Sequence, residues 1–155
     1  MKPGIGKAIL LTGLLVGTLD AGAAIVNFII PAWRNPIRIF QYIASGVFGR
    51  DIAFADPLVM PLLGLIFHYI IAVSWTAAYF LAYPKLKLVW KNTVLGGVAY
   101  GAVVWALMNL IVLPLSRVPA GPLRLAPSIT GMLILMVMVG LPVAFRANHF
   151  YQRKS

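Results

Sequence analysis

The 155-residue sequence has no cysteine and no glutamate. Without cysteine there are no disulfides and no thiolate metal sites. Without glutamate, the only acids are Asp20, Asp51 and Asp56, set against thirteen Lys and Arg. Charged residues of both signs make up only 10% of the chain, while 61% is hydrophobic. No soluble domain of this size needs so much apolar surface. The composition is that of an all-α membrane protein forming a single membrane domain over residues 1–155.

The formal net charge of +10 does not point to nucleic acid. The basic residues cluster at the ends of apolar runs, where lipid headgroups lie. The sequence contains no basic helix, zinc finger or RNA-binding aromatic pattern. The lipid bilayer is the partner that this charge pattern fits.

Four apolar runs predict spans at about residues 8–30, 58–82, 93–113 and 127–147. The first reaches about 34 Å as a helix, enough for a hydrocarbon core of about 30 Å. Lys2 and Lys7 precede it. A signal peptide would look similar, with Ala21-Gly22-Ala23 as its cleavage site. Asp20 interrupts the run and the run continues to Ile30, so this segment reads as an anchor and first span.

Between the first two spans, Asn35-Pro36 pairs an N-cap residue with proline at the first helical position. Ile37, Phe40, Ile43, Ala44 and Val47 recur at helical spacing, with Arg38, Gln41 and Ser45 elsewhere. This predicts an amphipathic helix over 36–48, lying in the interface or tucked over the bundle. Phe48-Gly49-Arg50-Asp51 is its expected end. Asp56-Pro57 repeats the cap signal ahead of span 2, and Asn92 is placed to cap span 3. Pro84 and Pro114 are expected to end spans 2 and 3, and Pro142 to kink span 4.

Four spans put both termini on one side. Lys2, Lys7, Lys85, Lys87, Lys91, Arg146, Arg153 and Lys154 share that side; Arg34, Arg38, Arg50, Arg117 and Arg124 occupy the other. The positive-inside rule then places the termini in the cytoplasm. Trp33, Trp90, Tyr83 and Tyr151 lie near span ends, as interfacial aromatics do.

Asp20 falls near the middle of span 1. A charged Asp there costs roughly 2.5–3.5 kcal/mol, and its side chain is too short to reach either interface. Gly13, Gly17, Asp20, Ala24 and Asn27 share one stripe at spacings of 4, 3, 4 and 3. Gly13-x-x-x-Gly17 permits close approach of another helix, and so does Gly97-x-x-x-Gly101 in span 3. Such contacts serve either the protomer itself, a homo-oligomer or a larger membrane partner. Asp20 itself reads either as interhelical glue or as a site for an ion, proton or ligand.

Span 2 carries a matching stripe of Gly64, His68, Ala72, Trp75 and Tyr79. Adjacent spans run antiparallel, so Asp20 and His68 fall at similar depth. Together they make either a proton relay or ligand clamp, or one structural hydrogen bond. Asn27 and Asn109 both lie towards the far ends of their spans, where they pair or line a polar vestibule.

Catalytic signatures are lacking: there is no G-x-S-x-G, H-E-x-x-H, D-x-D or phosphate loop. Ser74 is six residues from His68, on another face. His68 and His149 cannot build a metal site alone, Met136 and Met138 read as packing residues, and no cofactor motif is present. A lipid-modifying enzyme would have to use Arg34, Arg38, Arg50, Arg117 and Arg124 on headgroup phosphates; interface anchoring explains the same residues.

Three stretches carry a resemblance: Gln41 to Gly49 (QYIASGVFG), Leu63 to His68 (LGLIFH) and Met108 to Arg117 (MNLIVLPLSR). Over residues 10–145 the chain resembles a group of small bacterial inner-membrane proteins with four spans. The resemblance implies a bacterial membrane location and the four-helix plan, and it carries over no catalytic role. Ala53 to Pro57 departs from the glycine-rich stretch expected there.

Overall fold

The computed structural model describes residues 4–29, 35–89, 92–118 and 125–152. Among these residues every regular element is helical, and four helices are long and apolar enough to cross a membrane. They are α1 (Ile5–Ile29), α4 (Val59–Val89), α5 (Thr93–Leu115) and α6 (Leu125–Gln152). Two shorter helices, α2 (Ile37–Phe48) and α3 (Arg50–Ala55), join α1 to α4. Trp33, Arg34, Trp90, Lys91, Arg124, Arg153 and Lys154, together with Lys2, lie outside the described residues.

Helix starts follow the side-chain signals. The Asn35 Oδ1 accepts from the Ile37 amide at 3.0 Å. The Asp56 Oδ1 accepts from Leu58 and Val59, both at 2.8 Å, and these two N–H groups hold its carboxyl below the usual range. The Asn92 Oδ1 accepts from Val94 at 2.9 Å and Leu95 at 3.3 Å. Each carbonyl or carboxylate oxygen satisfies N–H groups that the first helical turn cannot.

The prolines act differently from expectation. Helix α4 passes through Pro84 instead of ending before it. Proline has no N–H, so the Phe80 carbonyl one turn back lacks its helical donor. Tyr151 of α6 replaces that donor, its hydroxyl lying 2.9 Å from the Phe80 oxygen. Helix α5 also passes Pro114, reaching Leu115 after a π-helical turn at Met108–Val112. In α6 another π turn, Leu135–Gly140, precedes Pro142. Both turns shift the hydrogen-bond register just ahead of the proline, so the missing donor is absorbed without ending the helix.

Helix α2 forms as expected, and its buried residues come from both its apolar and its polar positions. Gln41, Ala44 and Ser45 are buried while Ile37, Tyr42 and Val47 are exposed. The Gln41 amide donates to the Asp56 carbonyl at 3.2 Å. In lipid, the exposed apolar side chains pay no penalty, so polar groups gain by turning towards protein. Gly64 provides the contact with α4: a Cβ there would collide with the Phe40 carbonyl. Gly49 takes a φ of +84°, a turn that separates α2 from α3 and that suits glycine.

Helix α6 touches α1, α4 and α5, whereas α4 and α5 barely meet. The core of Val16, Tyr79, Phe80, Tyr83, Val139, Val143, Ala144 and Ala147 lies towards the end that carries both termini; Ile5 and Tyr151 pack on it. Towards the opposite end, which bears α2, no described residue of α1 beyond Gly17, of α5 beyond Val104 or of α6 before Val139 is buried. Burial at the α2 end is instead carried by the short helices against α4, where Gln41, Ala44, Ser45, Ala53 and Gly64 are buried.

Candidate functional site

Helices α1 and α4 build the polar centre because two glycines let them touch. A Cβ on Gly13 would stand 2.7 Å from Val73 Cγ2 and 2.8 Å from its Cα. A Cβ on Gly17 would stand 2.8 Å from the Tyr69 ring and 3.2 Å from the Ala72 Cβ. This close approach exposes the Gly17 carbonyl to the His68 ring, whose Nε2 lies 2.8 Å away. A carbonyl oxygen only accepts, so Nε2 carries the hydrogen and donates. Phe40 and Tyr69 hold the ring edge-on, with centroids 6.5 Å and 5.5 Å away.

Asp20 follows Gly17 by three residues and therefore shares its face. Its carboxyl feels the charge of His68, and among the described residues it has no hydrogen-bond partner. Asp20 and His68 are unbonded: His68 bonds the Gly17 backbone instead, in one of two hydrogen bonds that join α1 and α4 at this level. Beside it, Thr18 gives its only hydroxyl proton to the Leu14 carbonyl at 2.9 Å. Tyr69 must then be the donor in its 3.0 Å contact with Thr18.

The two asparagines are not brought together. Asn27 is exposed on α1, and the Asn109 amide donates to the Trp105 carbonyl of its own helix at 2.9 Å. The polar vestibule lined by both therefore has no hydrogen-bonded rim. The second glycine pair is spent inside the protomer. A Cβ on Gly97 would stand 2.9 Å from the Gly140 carbonyl and 3.0 Å from the Ala144 Cβ, and one on Gly101 would overlap the Met136 backbone. Both small-residue motifs are intramolecular seams.

Of the five arginines on the α2 side, Arg34 and Arg124 lie outside the described residues. Arg38, Arg50 and Arg117 are exposed. Arg50 stands over the Phe54 ring at 5.8 Å, and the Arg117 amide donates to the Gly46 carbonyl at 3.0 Å. These contacts tie the arginine backbones and one side chain to the α2–α3 layer. Ser74 donates to the Ile70 carbonyl at 2.8 Å, away from His68.

Sequence reasoning put Tyr83 and Tyr151 at span ends and Tyr79 on the span 2 stripe but missed Tyr100 and the contacts these tyrosines make at the termini end. Tyr100 donates to the Trp75 carbonyl and Tyr83 to Asn148 Oδ1, both at 2.6 Å. Tyr79 meets Tyr100 edge-on at 4.7 Å, and Tyr83 stacks on Tyr151 at 5.1 Å. One signal was available: a proline inside an apolar run leaves a carbonyl that needs an outside donor.

No protein-family model, curated protein or solved structure matches the chain. The chain is a membrane-spanning helical protein on the strength of its four apolar helices.

Proposed function

We propose that this protein binds a small cationic solute or ion at the Asp20–His68 centre, reached from the α2 end of the bundle. The supporting observation is that Asp20, in the middle of a membrane span, has no hydrogen-bond partner among the described residues, while the His68 ring acts on it electrostatically. A structural carboxyl would be expected to carry hydrogen bonds, because an unsatisfied polar group in hydrocarbon is costly. Here the charge of a carboxylate is compensated by a proton, by protonated His68 or by a bound cation. These three exchange with one another, which makes cation occupancy proton-linked. The proposal extends to location: a bacterial inner membrane with both termini cytoplasmic, as the resemblance and the basic-residue asymmetry imply. Because both glycine pairs are used within the protomer, an accessory or homo-oligomeric role finds no support in them. A lipid-modifying activity finds none in the exposed arginines.

The test is thermal unfolding of purified wild type and Asp20→Asn in detergent, from about pH 5 to 8, the range in which His titrates. Alkali and small organic cations are added in parallel. The expected outcome is a pH-dependent, cation-stabilised wild type and a folded Asp20→Asn protein that responds to neither. Matching profiles for the two proteins would remove the proposal's basis.

A further inference from the structure

The spanning helices form two tightly seated pairs. Helix α1 lies on α4 through Gly13 and Gly17, with α2 on α4 through Gly64. Helix α5 lies on α6 through Gly97, Gly101 and Gly140. A methyl group at any of these glycines would collide with the partner helix.

Contact between the pairs is concentrated at the termini end. The later part of α6, Leu135–Gln152, packs on α1 and α4, whereas its first ten residues, Leu125–Ile134, pack on α5. Burial follows the same division. Among the described residues it stops at Gly17 on α1 and at Val104 on α5, and it begins at Val139 on α6. Beyond that level the pairs are divided by a seam in which these three helices bury nothing. Asp20, one turn past Gly17, lies at the inner limit of the seam.

One hydrogen bond spans the mouth of the seam. The Arg117 amide, just past the end of α5, donates to the Gly46 carbonyl of α2 at 3.0 Å. Among the described residues, the other hydrogen bonds between the pairs, from Tyr83, Tyr100 and Tyr151, all lie on the termini side of Asp20. Ser116 shapes the tip that meets Gly46: its hydroxyl donates to the Leu113 carbonyl at 2.7 Å and accepts from the Val118 amide at 3.2 Å. Lipid exerts no hydrophobic force to hold helices together, so this contact carries much of the closure. Both π turns, Met108–Val112 in α5 and Leu135–Gly140 in α6, fall where burial ends. Irregular turns of that kind are where a helix yields.

We infer that the Gly46–Arg117 hydrogen bond is a clasp across this seam: when it is released, the ends of α5 and α6 swing away from α2 at the two π turns and open the approach to Asp20. This rests on reading Asp20–His68 as a site entered from the α2 end.

The experiment is labelling of Asp20 by dicyclohexylcarbodiimide, a lipid-soluble carboxyl reagent, in the purified full chain without added cations. Peptide mass spectrometry locates the label, and Asp51, exposed on α3, is the reference. Arg117→Pro removes the N–H of the clasp, and Ser116 already has the extended ψ of 174° that a following proline favours. It should raise the Asp20 rate about threefold, the average worth of one hydrogen bond between membrane helices. Arg117→Ala keeps the N–H and should leave the rate unchanged. A Cβ on Gly46 would stand 3.6 Å from the Ser116 Cβ, a separation that suits a disulfide. The double variant Gly46→Cys, Ser116→Cys, in a chain otherwise free of cysteine, therefore locks the seam. Oxidised, it should label about tenfold more slowly or less; reduced, it should return towards the wild-type rate. Amide exchange at Val16 and Phe80, in the core, should be the same in all these proteins. Either variant decides alone should the other fail to fold. An Asp20 rate that ignores both the proline and the disulfide overturns the clasp. So does core exchange that changes in step with the labelling, since the whole bundle would then be opening. Clasp-dependent labelling in a protein whose melting ignores cations upholds the clasp and overturns the binding reading alone.

Discussion

Replacing Tyr151 by Phe removes one oxygen and keeps the ring stacked on Tyr83. The lost hydroxyl is the donor to the Phe80 carbonyl, which Pro84 has deprived of its helical partner. Two magnitudes compete. Hydrogen bonds between membrane helices average about 0.6 kcal/mol, because either partner finds a substitute. A buried acceptor left without any donor costs about 1–3 kcal/mol. Phe80 is fully buried, and proline excludes the backbone substitute, so the second case applies. We expect a loss of about 1.5 kcal/mol, close to tenfold in the unfolding equilibrium. The decisive comparison is made in a Pro84→Ala background. Alanine restores the N–H, so the same Tyr151→Phe change should then cost no more than about 0.5 kcal/mol. Unfolding in mixed micelles measures all four proteins of this double-mutant cycle. A coupling energy indistinguishable from zero would show that Tyr151 does not stand in for the missing amide.

Four further outcomes follow from local geometry. Gly101→Ala places a methyl group on the Met136 backbone and should cost about 1–3 kcal/mol. Gly22→Ala meets nothing within 4 Å and should gain about 0.5–1 kcal/mol from helix entropy; the same micelle unfolding assay measures both. Asn92→Ala should cost about 1 kcal/mol and speed hydrogen exchange at Val94 and Leu95, whereas Asn92→Asp keeps the cap. The carboxyl of Asp56 is held below its ordinary pKa of 3.8 by the Leu58 and Val59 amides. Its stabilisation is therefore present above that pH and fades as pH falls through the lower folded value. Melting temperature measured down to about pH 2 should show this acid step in wild type and not in Asp56→Ala.

The four spans and the caps were legible because each depends on local chemistry. Run length gives a span, and Asn or Asp ahead of a run gives a start. Span ends were harder. Pro84 looks like a stop until Tyr151, far away in sequence, is seen to satisfy Phe80. The π turns before Pro114 and Pro142 leave no compositional trace. Helical spacing showed which residues of α2 share a face, but it could not choose the buried one. In water the apolar face turns inward; beside lipid, Gln41 and Ser45 gain more by doing so. The glycine pairs announced close contacts without naming partners, and Gly140 proved to be the partner of Gly97. Matching depth placed His68 at the level of the Gly17–Asp20 turn. The bond that His68 makes was hidden, because its acceptor is a backbone carbonyl uncovered by the absence of a side chain at Gly17.

The position of Asp20 matters as much as its chemistry. Val16, one turn earlier on α1, is fully buried in the tyrosine-rich core. A carboxyl there would face Tyr79, Val139 and Val143, with neither water nor a cation in reach. Along α1 the buried residues stop at Gly17, whose carbonyl meets His68, and Asp20 lies one turn further on the same face. On the proposed reading, a solute entering from the α2 end would meet this carboxyl before the tyrosine-rich core. To continue, it would have to part Tyr79, Phe80 and Tyr83 from α6, breaking the hydrogen bonds from Tyr83 to Asn148 and from Tyr151 to Phe80. On that reading, passage through the bundle would require a second conformation in which those two hydrogen bonds are broken.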